Sequence, residues 1–143
     1  MPNWCTNEVS IYGYKNEEQL KQFVDECVTG DVIDFEKVIP YPDSAPSRDD
    51  LTSDSTIEEQ LKHPYSKWYN DIGYNWCIKN WGTKWTASGV GQDVYISEDE
   101  VQLSFDTAWG PPEGVYHKLV EKYPDLSFSW FYREDGMQVA GWL

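Results

Sequence analysis

The sequence predicts an α+β domain of split βαβ layout, an antiparallel sheet with two helices on one face and a helical acidic insert. Three observations predict it. Strand-like alternation recurs at both ends of the chain. Two amphipathic stripes, within 16–29 and 112–123, each need an apolar surface to cover. The order of the elements reads β-α-(insert)-β-β-α-β-β.

The elements follow in order. Thr6 to Gly13 alternate as a strand with Val9 and Ile11 facing inward. Asn16 can cap a helix, with Gln19 completing a capping-box-like pair and Leu20, Phe23, Val24, Cys27 and Val28 at helical spacing; Gly30 stops it. Val32 to Ile39 read as extended up to Pro40 and Pro42. Residues 41–64 form a Pro-bounded excursion with one short helix, capped near Ser55 with Glu58 three residues on. Tyr65, Trp68, Tyr69, Ile72 and Trp76 share a second helical stripe, which Asn80 or Gly82 terminates. The whole insert spans 41–80 of a single domain, 1–143.

The last third alternates more plainly. Val94 and Ile96 mark a short strand and Ser97–Glu100 a turn. Val101, Leu103, Phe105 and Thr107 make the next strand. Pro111-Pro112 opens a helix where proline is tolerated, with Val115, Tyr116, Leu119, Val120 and Tyr123 as its apolar face, and Pro124 ends it. Leu126, Phe128, Trp130 and Tyr132 give a strand, Asp135-Gly136 a tight turn, and Val139 to Trp142 a closing strand.

Composition bounds the function. The 143 residues suit one domain. Aliphatics are scarce, so 8 Trp, 10 Tyr and 5 Phe must supply much of the core. No apolar run is long enough for a transmembrane helix, and Met1-Pro2-Asn3-Trp4 opens no signal peptide. Three cysteines, 5, 27 and 77, form no CxxC pair and suggest free thiols in a reducing, cytoplasmic setting. A net charge of −14 opposes phosphate neutralisation, so no generic DNA or RNA binding is expected. The outward strand positions agree, with Phe131 and Tyr12 the only rings and Arg133 the only cation among Glu8, Asp106, Ser10, Gln102, Ser104, Ser127 and Ser129.

Three segments go beyond pattern: Met1-Pro2-Asn3-Trp4-Cys5-Thr6-Asn7, Asn80-Trp81-Gly82-Thr83-Lys84-Trp85 and Phe105-Asp106-Thr107-Ala108-Trp109-Gly110-Pro111-Pro112. Together, and in this order, they resemble the YubB-like family of plasmids, phages and mobile elements. The resemblance implies a ferredoxin-like fold and an accessory role on a mobile element. It brings no known reaction, ligand or catalytic residue.

The residues themselves offer two surfaces. Trp4, Asn7, Trp81, Lys84, Trp85, Asp106 and Trp109 outline a Trp-lined cleft able to stack on a planar ligand or sugar ring. The same residues also suit a structural cluster bracing the insert against the sheet, with Asn and Thr satisfying indole groups. Either way, Trp81, Trp85 and Trp109 are expected in one contiguous cluster, because all three in water would expose too large an apolar patch. The second surface is acidic. Asp49, Asp50, Asp54, Glu58 and Glu59 lack the central Gly of a calcium loop; they suit a solvated loop that keeps an aromatic-rich protein soluble, or a surface that presents charge to a basic protein partner or acts as a nucleic-acid mimic. The most direct reading is a non-catalytic protein- or ligand-binding module without metal or cofactor. An alternative is a small enzyme with Pro2 or Asp106 as base. His63 and His117 each stand alone and read as structural or surface histidines rather than metal ligands.

Overall fold

The computed structural model describes residues 3–30, 32–52 and 54–143, and the side chains of these except 88–93. Strand β1, Trp4–Tyr12, leads into α1, Glu17–Cys27, capped by the Asn16 side chain accepting from the Gln19 N–H at 3.0 Å. A two-residue hairpin follows, β2 (Val28–Thr29) with β3 (Val32–Ile33). Between β3 and β4 come α2 (Phe35–Val38), α3 (Ile57–Lys62), α4 (Pro64–Trp68), a π turn (Tyr69–Gly73) and α5 (Tyr74–Asn80), the last four within the expected insert, 41–80. The chain closes with β4 (Ser88–Ile96), β5 (Glu100–Ala108), α6 (Glu113–Lys122), β6 (Ser127–Glu134) and β7 (Val139–Trp142).

All pairings in the five-stranded sheet are antiparallel, in the order β4-β5-β1-β6-β7. The predicted class holds: β1, β4, β5 and β6 with α1 and α6 make the ferredoxin-like unit, and β7 extends its edge. Register explains which side chains meet. Cys5, Asn7, Val9 and Ile11 of β1 lie opposite Thr107, Phe105, Leu103 and Val101 of β5, all on the buried face. Leu20, Phe23 and Cys27 of α1 and Val115 and Leu119 of α6 pack into this same core, so both helices cover one face. Glu8, Ser10, Gln102, Ser104, Phe131 and Arg133 share the opposite, more open face.

Three local expectations change. Only Val32–Ile33 of the expected extended run is a strand; Asp34 then accepts from the Glu36 N–H and caps a single helical turn that buries Phe35 and Val38. The short insert helix starts one residue late. Thr56 and Glu59 form its capping box, while Ser55 Oγ accepts from the Thr52 N–H instead. The stripe through Ile72 also slips. The π turn inserts an extra residue per turn, so burial runs Trp68, Gly73, Cys77 and Ile72 faces water. Gly73 is required there, because a Cβ would sit 2.5 Å from the Trp68 ring.

Candidate functional site: an exposed indole surface

Two of the Trp-rich strings interlock behind this surface. The Trp81 carbonyl accepts from the Gly114 and Val115 N–H groups at 3.1 and 3.4 Å, and so satisfies the first turn of α6. The approach is close enough that a Cβ on Gly114 would lie 1.9 Å from the Asn80 oxygen. Gly82, at φ +89, turns the chain past the Glu113 nitrogen. Thr83 Oγ1 then donates to the Ala108 carbonyl at 2.8 Å, and the Tyr69 hydroxyl donates to the Lys84 carbonyl. Lys84 and Trp85 are thereby presented from a pinned backbone.

Trp109 follows β5 in a conformation that indole-bearing residues rarely adopt. Its φ is +74, and the Gly110 N–H donates back to the Ala108 carbonyl at 2.9 Å. That is the strained form of the γ-turn. Four further bonds hold it. The Trp109 N–H donates to the Asn3 carbonyl at 2.8 Å, and Thr107 Oγ1 donates to the Gly110 carbonyl at 2.6 Å. Behind them Asn7 Nδ2 donates to Thr107 Oγ1 at 2.9 Å, and Trp130 Nε1 donates to Asn7 Oδ1 at 3.0 Å.

The strained turn aims its ring outward. Trp109 is 58% exposed, Trp4 41% and Trp85 38%. The Lys84 ammonium lies 4.4 Å from the Trp85 ring centroid and 5.3 Å from that of Trp109, within cation–π range of both. Trp4 extends the row, its ring 6.0 Å from Trp85. Beside Trp109 opens a cavity of about 320 Å³ between α5 and the end of β5, lined by Tyr74, Ile78, Gly82, Thr83, Lys84, Ala108, Trp109 and Gly110.

The expected cleft is therefore divided. Trp4, Lys84, Trp85 and Trp109 come together at the surface. Trp81 does not join them: it is buried in the core against Phe35, Tyr41 and Trp76, with Nε1 donating to the Ile39 carbonyl at 3.0 Å. The single cluster expected of Trp81, Trp85 and Trp109 is thus corrected to one core ring and two surface rings. Gly82 turns the chain between them. Asn7 is also buried, as the hub of the network behind the turn, because it shares strand parity with Val9 and Ile11. Asp106 pairs with Thr6 on the opposite sheet face and does not line the cavity. Tyr74 and Ile78 were missed. They stand four residues apart on α5, and only the π turn swings them outward.

The acidic insert is tied to the rest of the fold at Arg48. Arg48 stacks over Tyr65 and Tyr41, donates to the Tyr65 hydroxyl at 3.2 Å and pairs with Glu36. Burial raises the Glu36 carboxyl above its usual range, although the Arg48 guanidinium opposes it. Asp49, Asp50, Asp54, Glu58 and Glu59 are exposed. Three of them spend charge locally: Asp50 on His63, Glu58 on Lys62, and Glu59 in the capping box. Pro2 lies outside the described residues. Among the described residues no group of three or more His, Cys, Asp and Glu could hold a metal ion. All three cysteines are buried, and desolvation pushes the Cys5 and Cys77 thiols up to about 11.

Fold and site together define a ferredoxin-like α+β protein with an aromatic surface where β5 meets the insert. Residues 80–142, somewhat under half of the chain, match the family model described as the ferredoxin-like domain in Api92-like protein. The crystal structure of protein Api92 from Yersinia pseudotuberculosis is similar in fold, with a TM-score of 0.57 and 11% identity over 99% of this chain and 93% of that one. No curated protein matches the chain. Among the described residues no helix is long and apolar enough to cross a membrane.

Proposed function

We propose that the protein is a non-catalytic binding module whose contact surface is Trp4, Lys84, Trp85 and Trp109. The observation that supports it is Trp109. A strained φ of +74 costs on the order of 1–3 kcal/mol, and here it is spent on an indole that remains 58% exposed. Beyond the Lys84 ammonium at 5.3 Å, packing returns little for that arrangement, whereas a ligand stacked on the exposed ring would. The resemblance to YubB-like sequences supports an accessory role on a plasmid, phage or other mobile element, and the free thiols suit the cytoplasm. A macromolecular partner would be a basic protein facing the exposed insert carboxylates Asp49 and Asp54, an arrangement that the net charge of −14 favours through faster encounter.

Substitution of Trp109 tests the reading. Trp109→Gly relieves the backbone strain, so it should melt at or above the wild-type temperature and be about 1 kcal/mol more stable than Trp109→Ala. A loss of roughly 3–5 kcal/mol in Trp109→Gly, as for a core ring, would make the indole structural and end the proposal.

A further inference from the structure

Resting on that binding reading, we infer that the cavity beside Trp109 takes a small ligand with a flat apolar body and a single anionic group, the anion meeting the Lys84 ammonium.

The charge of the lining points this way. In a chain with 25 carboxylates and 11 Lys and Arg, no carboxylate lines this cavity, and its one charged side chain is Lys84. Four other cavities on the described residues all carry carboxylates: Glu18 beside α1, Glu8 in two over the sheet, and Glu36 with Asp43 and Asp49 where α2 meets the insert. Lys84 has no ion-pair partner among the described residues; its Nζ is held against indole faces instead. An incoming anion therefore gains a charge-assisted hydrogen bond without first breaking a salt bridge.

The apolar part of the ligand follows from the walls. Tyr74, Ile78 and Trp109 supply a ring, an aliphatic face and an indole, each 41–58% exposed in the free protein. About 320 Å³ is at the small end of ligand pockets, enough for a bicyclic ring system. Few hydrogen-bonding side chains remain for a polyhydroxylated ligand, since the Thr83 hydroxyl is already spent on the Ala108 carbonyl. A polyanion is disfavoured by the net charge, whereas a single charge bound at Lys84 is shielded from distant carboxylates beyond a Debye length of about 8 Å in physiological salt.

The site is also built in advance. Tyr69 and Thr83 fix the backbone on either side of Lys84, and the γ-turn sets Trp109. Little ordering is left for the ligand to impose.

Nuclear magnetic resonance titration with three probes tests the assignment: 2-naphthylacetate, its primary amide and 2-naphthylmethylammonium. The acid should bind at least tenfold more tightly than the amide and shift the Trp85 and Trp109 indole N–H signals. Lys84→Gln should abolish that preference, Lys84→Arg should retain it, and Trp109→Gly should weaken acid and amide alike. Equal binding of acid and amide, preference for the ammonium, a preference surviving Lys84→Gln, or no binding by any probe at millimolar concentration would each overturn the assignment. Amide or ammonium binding that depends on Trp109 would sink only the anionic class and leave the binding module standing. Failure of the module itself is read separately, from the melting of Trp109→Gly.

Discussion

Asn7 shows how one residue can be placed by its neighbours and still be assigned to the wrong place. Its side chain receives the Trp130 indole N–H and donates to Thr107 Oγ1, with Cys5 and Phe105 carbonyls as further acceptors at 3.2 and 3.4 Å. Asn7→Ala leaves a buried indole N–H without an acceptor and frees Thr107 from one of its partners. An unsatisfied buried group costs about 1–3 kcal/mol, so chemical denaturation should show Asn7→Ala destabilised by at least that amount. Near wild-type stability would mean that water replaces the amide and that the network does not hold the turn. The parity of β1 already made Asn7 inward, two residues from Val9. Its polarity suggested a cleft, because no sequence rule announces that a buried amide will pair with an indole 123 positions away.

At the scale of elements, the insert and α6 are joined backbone to backbone, and two glycines separate tight packing from open space. A Cβ on Gly114 would meet the Asn80 carbonyl oxygen at 1.9 Å, while one on Gly110 would meet nothing within 4 Å. Gly114→Ala should therefore lower the melting temperature steeply, by more than the 1–3 kcal/mol typical of overpacking a flexible side chain, because backbone must move. Gly110→Ala should stay within about 0.5 kcal/mol of wild type. Equal melting of the two variants would show that α6 does not dock on the Trp81 carbonyl. Periodicity located α1 and α6 well, since Leu20, Phe23 and Cys27, and Val115 and Leu119, recur at helical spacing. It failed across the π turn, where one inserted residue shifts every later side chain and no local propensity signals the change.

The whole molecule carries a predictable weakness to alkali. Burial raises the thiols of Cys5 and Cys77 to about 11, raises that of Cys27, and raises the phenols of Tyr41, Tyr69 and Tyr123, in each case mainly by desolvation. Each group holds its proton in the folded state at pH values where the unfolded chain has lost it. The unfolded state then binds fewer protons, so stability falls as pH rises. The thiol contribution is intact below about pH 9 and is lost between about 9 and 11; buried phenols extend the loss further up. Urea midpoints should be flat from pH 7 to 8.5 and then drop, and the drop should shrink in a Cys5→Ala, Cys77→Ala protein. A midpoint unchanged at pH 10.5 would contradict the burial of these thiols.

The sequence by itself determined the layers of this protein. Alternation and helical spacing depend on local geometry and on which side chains avoid water, and both are written in consecutive residues. It also singled out the Trp-rich strings, of which Trp4, Lys84, Trp85 and Trp109 do form the candidate surface. Only the tertiary structure decided that Trp81 belongs to the core and Trp109 to the surface, although both stand beside glycine in similar strings. The reason is physical. Burial of an indole depends on what packs over it and on where its N–H finds an acceptor, here the Ile39 carbonyl for Trp81 and a strained γ-turn that lifts Trp109 into water. Those partners lie 42 residues away for Trp81 and, for the Asn3 bond that fixes Trp109, on the neighbouring strand at the other end of the sequence, just before β1.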